Sequence, residues 1–211
     1  LDVYKNKEIL IKDGIIQKIS NNIDADLGKN IDAKQSIITP GFIDSHTHPI
    51  FGGNRSSEYI KRLKGATYAD IKNNGGGIIS SILKTREYDF QELYDASYSN
   101  IKPFINYGTT TIEAKSGYGL NLKDEIKSLK IIKKINSELD IDIIPTFLGA
   151  HDIPIEYKGN KQQYVDLICN EIIPEVAKEK LAVFCDVFCE PGYFNLKETE
   201  SIINRAKEFN L

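Results

Sequence analysis

Apolar and polar positions change period several times along the chain, and each change predicts an element. Two short apolar runs within residues 8–19 flank Asp13-Gly14, a dipeptide that favours a two-residue turn, so this stretch predicts a β-hairpin. Residues 21–34 are polar and turn-like, and strand character resumes at Ile31 and Ile37-Ile38. Residues 1–37 therefore read as a small β-unit of their own, with residues 38–211 as a second domain. The run from Ile38 to Ser45 is apolar and β-branched, which predicts a buried strand.

Beyond it, Pro49 to Lys64 reads as a loop rich in Gly, Asn and Ser. Thr67 followed by Asp70 opens a short helix that Asn73-Asn74-Gly75-Gly76-Gly77 ends. Asp89 with Glu92 starts a helix whose stripe runs through Leu93, Ser97, Ile101 and Phe104 to Gly108, with a kink expected at Pro103. A strand over 109–115, a helix capped by Asn121, a strand over 141–149, helix from Gln162 to Leu181 split at Pro174, a strand over 182–189 and a helix over 196–209 follow. Such alternation predicts a parallel sheet with helical crossovers, whose catalytic groups belong at the C-terminal strand ends.

That expectation draws attention to His46 and His48, two of only three histidines in the chain, where the first of these strands gives way to loop. In a strand, side chains at i and i+2 share a face, so both imidazoles can reach one metal ion, and imidazole suits zinc and iron. The third histidine, His151, follows the strand over 141–149 and would share their rim; standing alone it reads as a turn residue. Glu113 and Lys115 share one strand face and can pair inside a polar interior, or equally in solvent.

Composition narrows the partners. A net charge of -3 with lysines scattered among acids argues against nucleic acid or an anionic membrane and for a small-molecule ligand. No run approaches the ~18 apolar residues of a membrane span, and the start has no leader pattern, so a cytoplasmic protein is expected. Cys169, Cys185 and Cys189 are odd in number and sit in apolar segments, as small buried hydrophobes do; Cys185-x-x-x-Cys189 lacks a second pair to make a metal site. No methionine occurs even at position 1, so a fragment or processed chain is expected. Two further patterns carry little. The Gly75–Gly77 triplet lacks the Gly-Lys-Ser/Thr ending of a phosphate loop. Ser81-x-x-Lys84 and Lys115-Ser116-Gly117 lack the Ser-Asp-Asn element of a serine acyl-enzyme.

The segment Pro40-Gly41-Phe42-Ile43-Asp44-Ser45-His46-Thr47-His48 resembles the first-strand signature of the amidohydrolase superfamily, metal-dependent hydrolases on a TIM-like (β/α)8 barrel. Phe51-Gly52-Gly53-Asn54-Arg55, Gly75-Gly76-Gly77-Ile78, Tyr107-Gly108-Thr109-Thr110-Thr111, Glu113-Ala114-Lys115-Ser116-Gly117-Tyr118-Gly119 and Phe147-Leu148-Gly149-Ala150-His151 follow in family order. They narrow the resemblance to the imidazolonepropionases, cyclic amidases of histidine degradation, from about residue 8 onward. The resemblance implies an α/β fold in which this chain supplies the first four β/α units, residues 38–211, after part of a β-sandwich, residues 1–37.

The same resemblance implies His46 and His48 as ligands of one divalent zinc or iron ion, and Arg55, Tyr118 and His151 as substrate-binding residues, with His151 also catalytic. Arg55 would fork onto the propionate, and His151 would stabilise the oxyanion. Glu190 stands where two-metal members carry a bridging ligand, often a modified lysine; the absence of lysine there favours one metal, although a carboxylate could itself ligate. The implied reaction is hydrolysis of 4-imidazolone-5-propanoate to N-formimidoyl-L-glutamate. Family members complete the site with a histidine on strand five, a glutamate base and an aspartate on strand eight, all beyond Leu211, so these 211 residues alone are expected to be inactive. For the full-length protein a homodimer stays open. The rival readings are another amidohydrolase, such as a guanine deaminase-like ring deaminase, and a noncatalytic metal-binding chain.

Overall fold

The structure, a computed structural model, describes residues 2–67, 70–71 and 75–211. The chain divides into two compact units, Leu1–Pro40 and Gly41–Leu211. In the first, β1 (Glu8–Lys12) and β2 (Ile15–Ser20) pair antiparallel. Their turn, Asp13-Gly14, has φ of 53° and 73°; positive φ at both central residues is what a two-residue hairpin turn of the favoured hand needs.

The second unit is built on a four-stranded parallel sheet in the order β3 (Phe42–Thr47), β4 (Thr109–Lys115), β5 (Asp142–Ala150), β6 (Phe184–Val187). Helices α1 (Ser56–Leu63), α2 (Ile78–Glu87) and α3 (Phe90–Asn106) lie between β3 and β4 in sequence. Helix α4 (Leu122–Asn136) links β4 to β5, and α5 links β5 to β6 as Lys161–Leu167, a wide π turn Ile168–Ile172, and Ile173–Lys178. Helix α6 (Leu196–Glu208) follows β6. Parallel neighbours in sequence order with helical crossovers fit part of a TIM-like barrel.

Several starts are fixed locally. Asp89 caps α3 through a capping box with Glu92, Asn121 caps α4 through the Asp124 amide, and Asn195 caps α6 through a capping box with Glu198. Helix α3 runs through Pro103 to Asn106, and Gly108 follows its end at φ 82°. Ile112 and Ala114 of β4 and Ile143 and Phe147 of β5 are buried with Leu129 and Ile132 of α4 in the core between sheet and helices.

Three expectations are corrected. The segment 38–45 is not a buried strand: β3 begins at Phe42, past Pro40, and reaches Thr47, and Phe42 and Ile43 are 58 % and 71 % exposed because the outer side of β3 is a sheet edge. The loop 49–64 contains α1, whose apolar residues Tyr59, Ile60 and Leu63 are exposed, so burial left little pattern to read. Pro174 does not split its helix. The π turn just before it widens the hydrogen-bond ladder where proline offers no N–H, and the helix carries on. The short helix expected after Thr67 lies largely outside the described residues, but its start is visible: Thr67 and Asp70 bond reciprocally, backbone to side chain. All three cysteines are free and half-buried, and burial pushes the Cys185 thiol up to about 12.

Candidate active site

The C-terminal ends of β3, β4 and β5 bring together the rings that the sequence singles out. His46 sits within the last turn of the pleat in β3 and His48 one residue past the strand end. Their Nε2 atoms lie 3.3 Å apart. Tyr118 comes from the loop after β4, and His151 directly follows Ala150 at the end of β5. The His48 and His151 rings stack at 4.9 Å, and Tyr118 meets both edge-on, 5.7 Å from His48 and 5.3 Å from His151.

Two aromatic walls extend this cluster and were not read as site residues from sequence. Phe51 stands 6.2 Å from Tyr118, and Phe188, just past β6, stands 6.2 Å from His151. Their positions, four residues past β3 and one residue past β6, were the available signal, but an aromatic there is usually core.

The histidine pair suits a metal. Two nitrogens that each bind a tetrahedral ion at about 2.0–2.1 Å are separated by about 3.3 Å, the spacing His46 and His48 already have. Burial foremost, and then the positive charge of His151, His46 and Lys115, lowers the His48 pKa to about 4, which keeps the imidazole in the neutral form that ligates metals. Its Nδ1 is buried with no hydrogen-bond partner among the described residues. Among the described residues no group of three or more His, Cys, Asp or Glu is placed to hold an ion.

His151 is held by a different contact. Its Nδ1 lies 2.9 Å from the Gly117 carbonyl, which can only accept, so Nδ1 carries the hydrogen. The neutral ring then has an accepting Nε2, and only the imidazolium donates from that atom.

Beneath the rings, the sheet face opposite the helices carries a charged ladder across three strands. Lys115 Nζ bonds Glu113 Oε1 at 2.8 Å and Asp186 Oδ2 at 3.0 Å, and the Thr146 hydroxyl donates to Glu113 Oε1 at 2.6 Å. Burial works against the lysine charge, but the bonds to Glu113 and Asp186 outweigh it and raise the Lys115 pKa. The pairing of Glu113 with Lys115 is thus an interior one.

Arg55 is not brought against these rings by any contact among the described residues. It precedes α1, where its Nε bonds Glu58 Oε2 at 3.0 Å, and Glu58 in turn accepts from the Gly77 amide. Glu190 lines a cavity of about 430 Å³ with Lys161, Tyr193 and Asn195, and a second cavity of about 290 Å³ lies between α2 and residues 152–158; neither is lined by the three histidines.

No family model matches the chain. It is 42% identical to an imidazolonepropionase of Clostridium tetani, 47% identical to one of Solibacter usitatus and 46% identical to one of Thermoanaerobacter pseudethanolicus, each time over 100% of this chain. The chain spans about half the length of these curated relatives, 52%, 52% and 51% respectively. Similarity of this extent over every residue places the chain in the imidazolonepropionase family.

Proposed function

We propose that this chain carries about half of a metal-dependent cyclic amidase, one that hydrolyses 4-imidazolone-5-propanoate to N-formimidoyl-L-glutamate in histidine degradation. The observation that carries this reading is the identity of 42–47% over the whole chain to proteins of that name. The four parallel strands are the first four of an eight-stranded barrel, and residues 1–37 are part of a β-sandwich. The relatives' names favour this reading over a ring deaminase.

His46 and His48 hold the ion, zinc or iron. When bound it would supply Lewis acidity, drawing the pKa of water down toward about 7 and polarising the ring carbonyl. In the reaction, water oxygen adds to that carbonyl carbon, the ring C–N bond breaks and the departing nitrogen takes up a proton. His151 presents Nε2 to the ring: as imidazolium it donates to the developing oxyanion, and as the neutral ring it accepts a proton there. Tyr118, edge-on to both imidazoles, forms the wall against which the planar ring rests. The protein is cytoplasmic in this reading, with a small molecule as substrate and no nucleic-acid or membrane partner; a homodimer at full length stays open. No helix among the described residues is long and apolar enough to cross a membrane.

Arg55 tests the substrate. With Nε given to Glu58, its two terminal nitrogens remain to fork a carboxylate. A charge-assisted bond is worth about 1.5–3 kcal/mol, so Arg55→Ala in the complete enzyme should lower kcat/KM about tenfold to a hundredfold on imidazolonepropionate, with Arg55→Lys in between. An imidazolone analogue without the carboxylate should be turned over alike by wild type and Arg55→Ala. Equal losses on both substrates would remove the propionate from the assignment.

A further inference from the structure

Glu125 is fully buried, yet it lies in the first turn of α4, where a glutamate ordinarily faces solvent. Its carboxylate is spent on the loop after β4. Oε1 accepts the amides of Gly119 at 2.8 Å and Leu120 at 2.9 Å, and both oxygens lie 3.2 Å from the Gly117 amide. The Ser116 hydroxyl bonds the same group.

The loop's carbonyl side is gripped from α2. Arg86 donates to Gly119 O at 2.7 Å and to Leu120 O at 3.1 Å, and its guanidinium pairs with Glu156. Contact is close as well: a Cβ on Gly119 would sit 2.5 Å from the α4 backbone, and one on Gly117 would sit 2.7 Å from Leu148 O and 3.0 Å from the His151 ring. A third carbonyl of the loop, that of Gly117, is the acceptor for His151 Nδ1. One carboxylate thus fixes the loop that carries Tyr118 and, through Gly117, the tautomer and tilt of His151.

We propose that Glu125 is the positioning residue of this site, setting Tyr118 and His151 for substrate while itself touching neither substrate nor metal. The proposal rests on the reading above, in which those two rings face the substrate. Buried carboxylates that satisfy several backbone amides are pre-organising devices, because the amides have no other partner to turn to.

The test is a double-mutant cycle in the complete, metal-loaded enzyme. Glu125→Gln keeps the shape but sets an amide donor against the loop's N–H groups. It should leave metal content unchanged and lower kcat/KM on imidazolonepropionate at least tenfold. On a background lacking both rings, Tyr118→Ala with His151→Ala, the same change should cost less than about threefold, since residues acting as one unit do not add. Equal losses on both backgrounds would overturn the proposal and leave Glu125 a fold residue. Should Glu125→Gln not fold, Arg86→Gln enters the same cycle with the same two outcomes. Should wild type not turn over imidazolonepropionate, the activity reading fails and the positioning role is read separately. Amide exchange at Gly119 and Leu120 should then quicken at least tenfold in Glu125→Gln, and unchanged exchange there would overturn it.

Discussion

Replacing His46 or His48 by alanine in the complete protein is expected to remove most of the bound metal and with it at least about a thousandfold of the activity, the scale on which a bound metal activates water. Replacing His151 by alanine is expected to leave metal content near wild type and to lower kcat. The distinction follows from how the three rings are held. The Nε2 atoms of His46 and His48 converge to 3.3 Å, whereas His151 stacks flat on His48 with Nδ1 turned to Gly117. Elemental analysis of the three purified variants decides the matter. Equal metal loss in all three would move His151 into the coordination sphere.

The second large effect concerns the ladder under the rings. Lys115, 5 % exposed, is the one cation between Glu113 and Asp186 among the described residues, and Glu113 is itself held in place by Thr146. Removing one member of a buried pair leaves the other charge uncompensated, at a cost of about 3–5 kcal/mol; the half-exposed Asp186 can still be solvated, so Lys115→Met should fall near ~3 kcal/mol. Removing the opposing charge as well, in Glu113→Gln with Lys115→Met, should restore part of that loss. Urea midpoints of the three proteins check this, and a double variant no more stable than Lys115→Met would show that the ladder is not paired in solution.

How much of this was legible without coordinates depended on whether the cause was local. Asp89 with Glu92, Asn121 before α4 and Asp13-Gly14 between β1 and β2 act within four residues, so sequence alone located them. The i, i+2 spacing of His46 and His48 foretold that their rings converge, because strand pleating has period two. Helix α1 escaped notice because its apolar residues face outward. The edge exposure of β3 depends on which strand lies beside it, which no single run of residues encodes. Glu125 was the least legible of all: in sequence it is an acid in a helix's first turn, a place the helix dipole already favours, and only the fold brings the amides of Gly117, Gly119 and Leu120 over it. Arg55 shows the reverse case, a residue singled out by family pattern that the fold sets in an ion pair with Glu58.

Turnover under metal control decides whether this chain supplies two metal ligands and the substrate-facing rings of a cyclic amidase. The complete protein containing these residues would be stripped with a chelator, reloaded with zinc or with ferrous iron, and assayed for conversion of 4-imidazolone-5-propanoate to N-formimidoyl-L-glutamate. Turnover should disappear with the metal and return on reloading, with His48→Ala restored by neither ion. Turnover that survives complete removal of metal, or its absence in the fully loaded wild-type protein, would overturn the assignment.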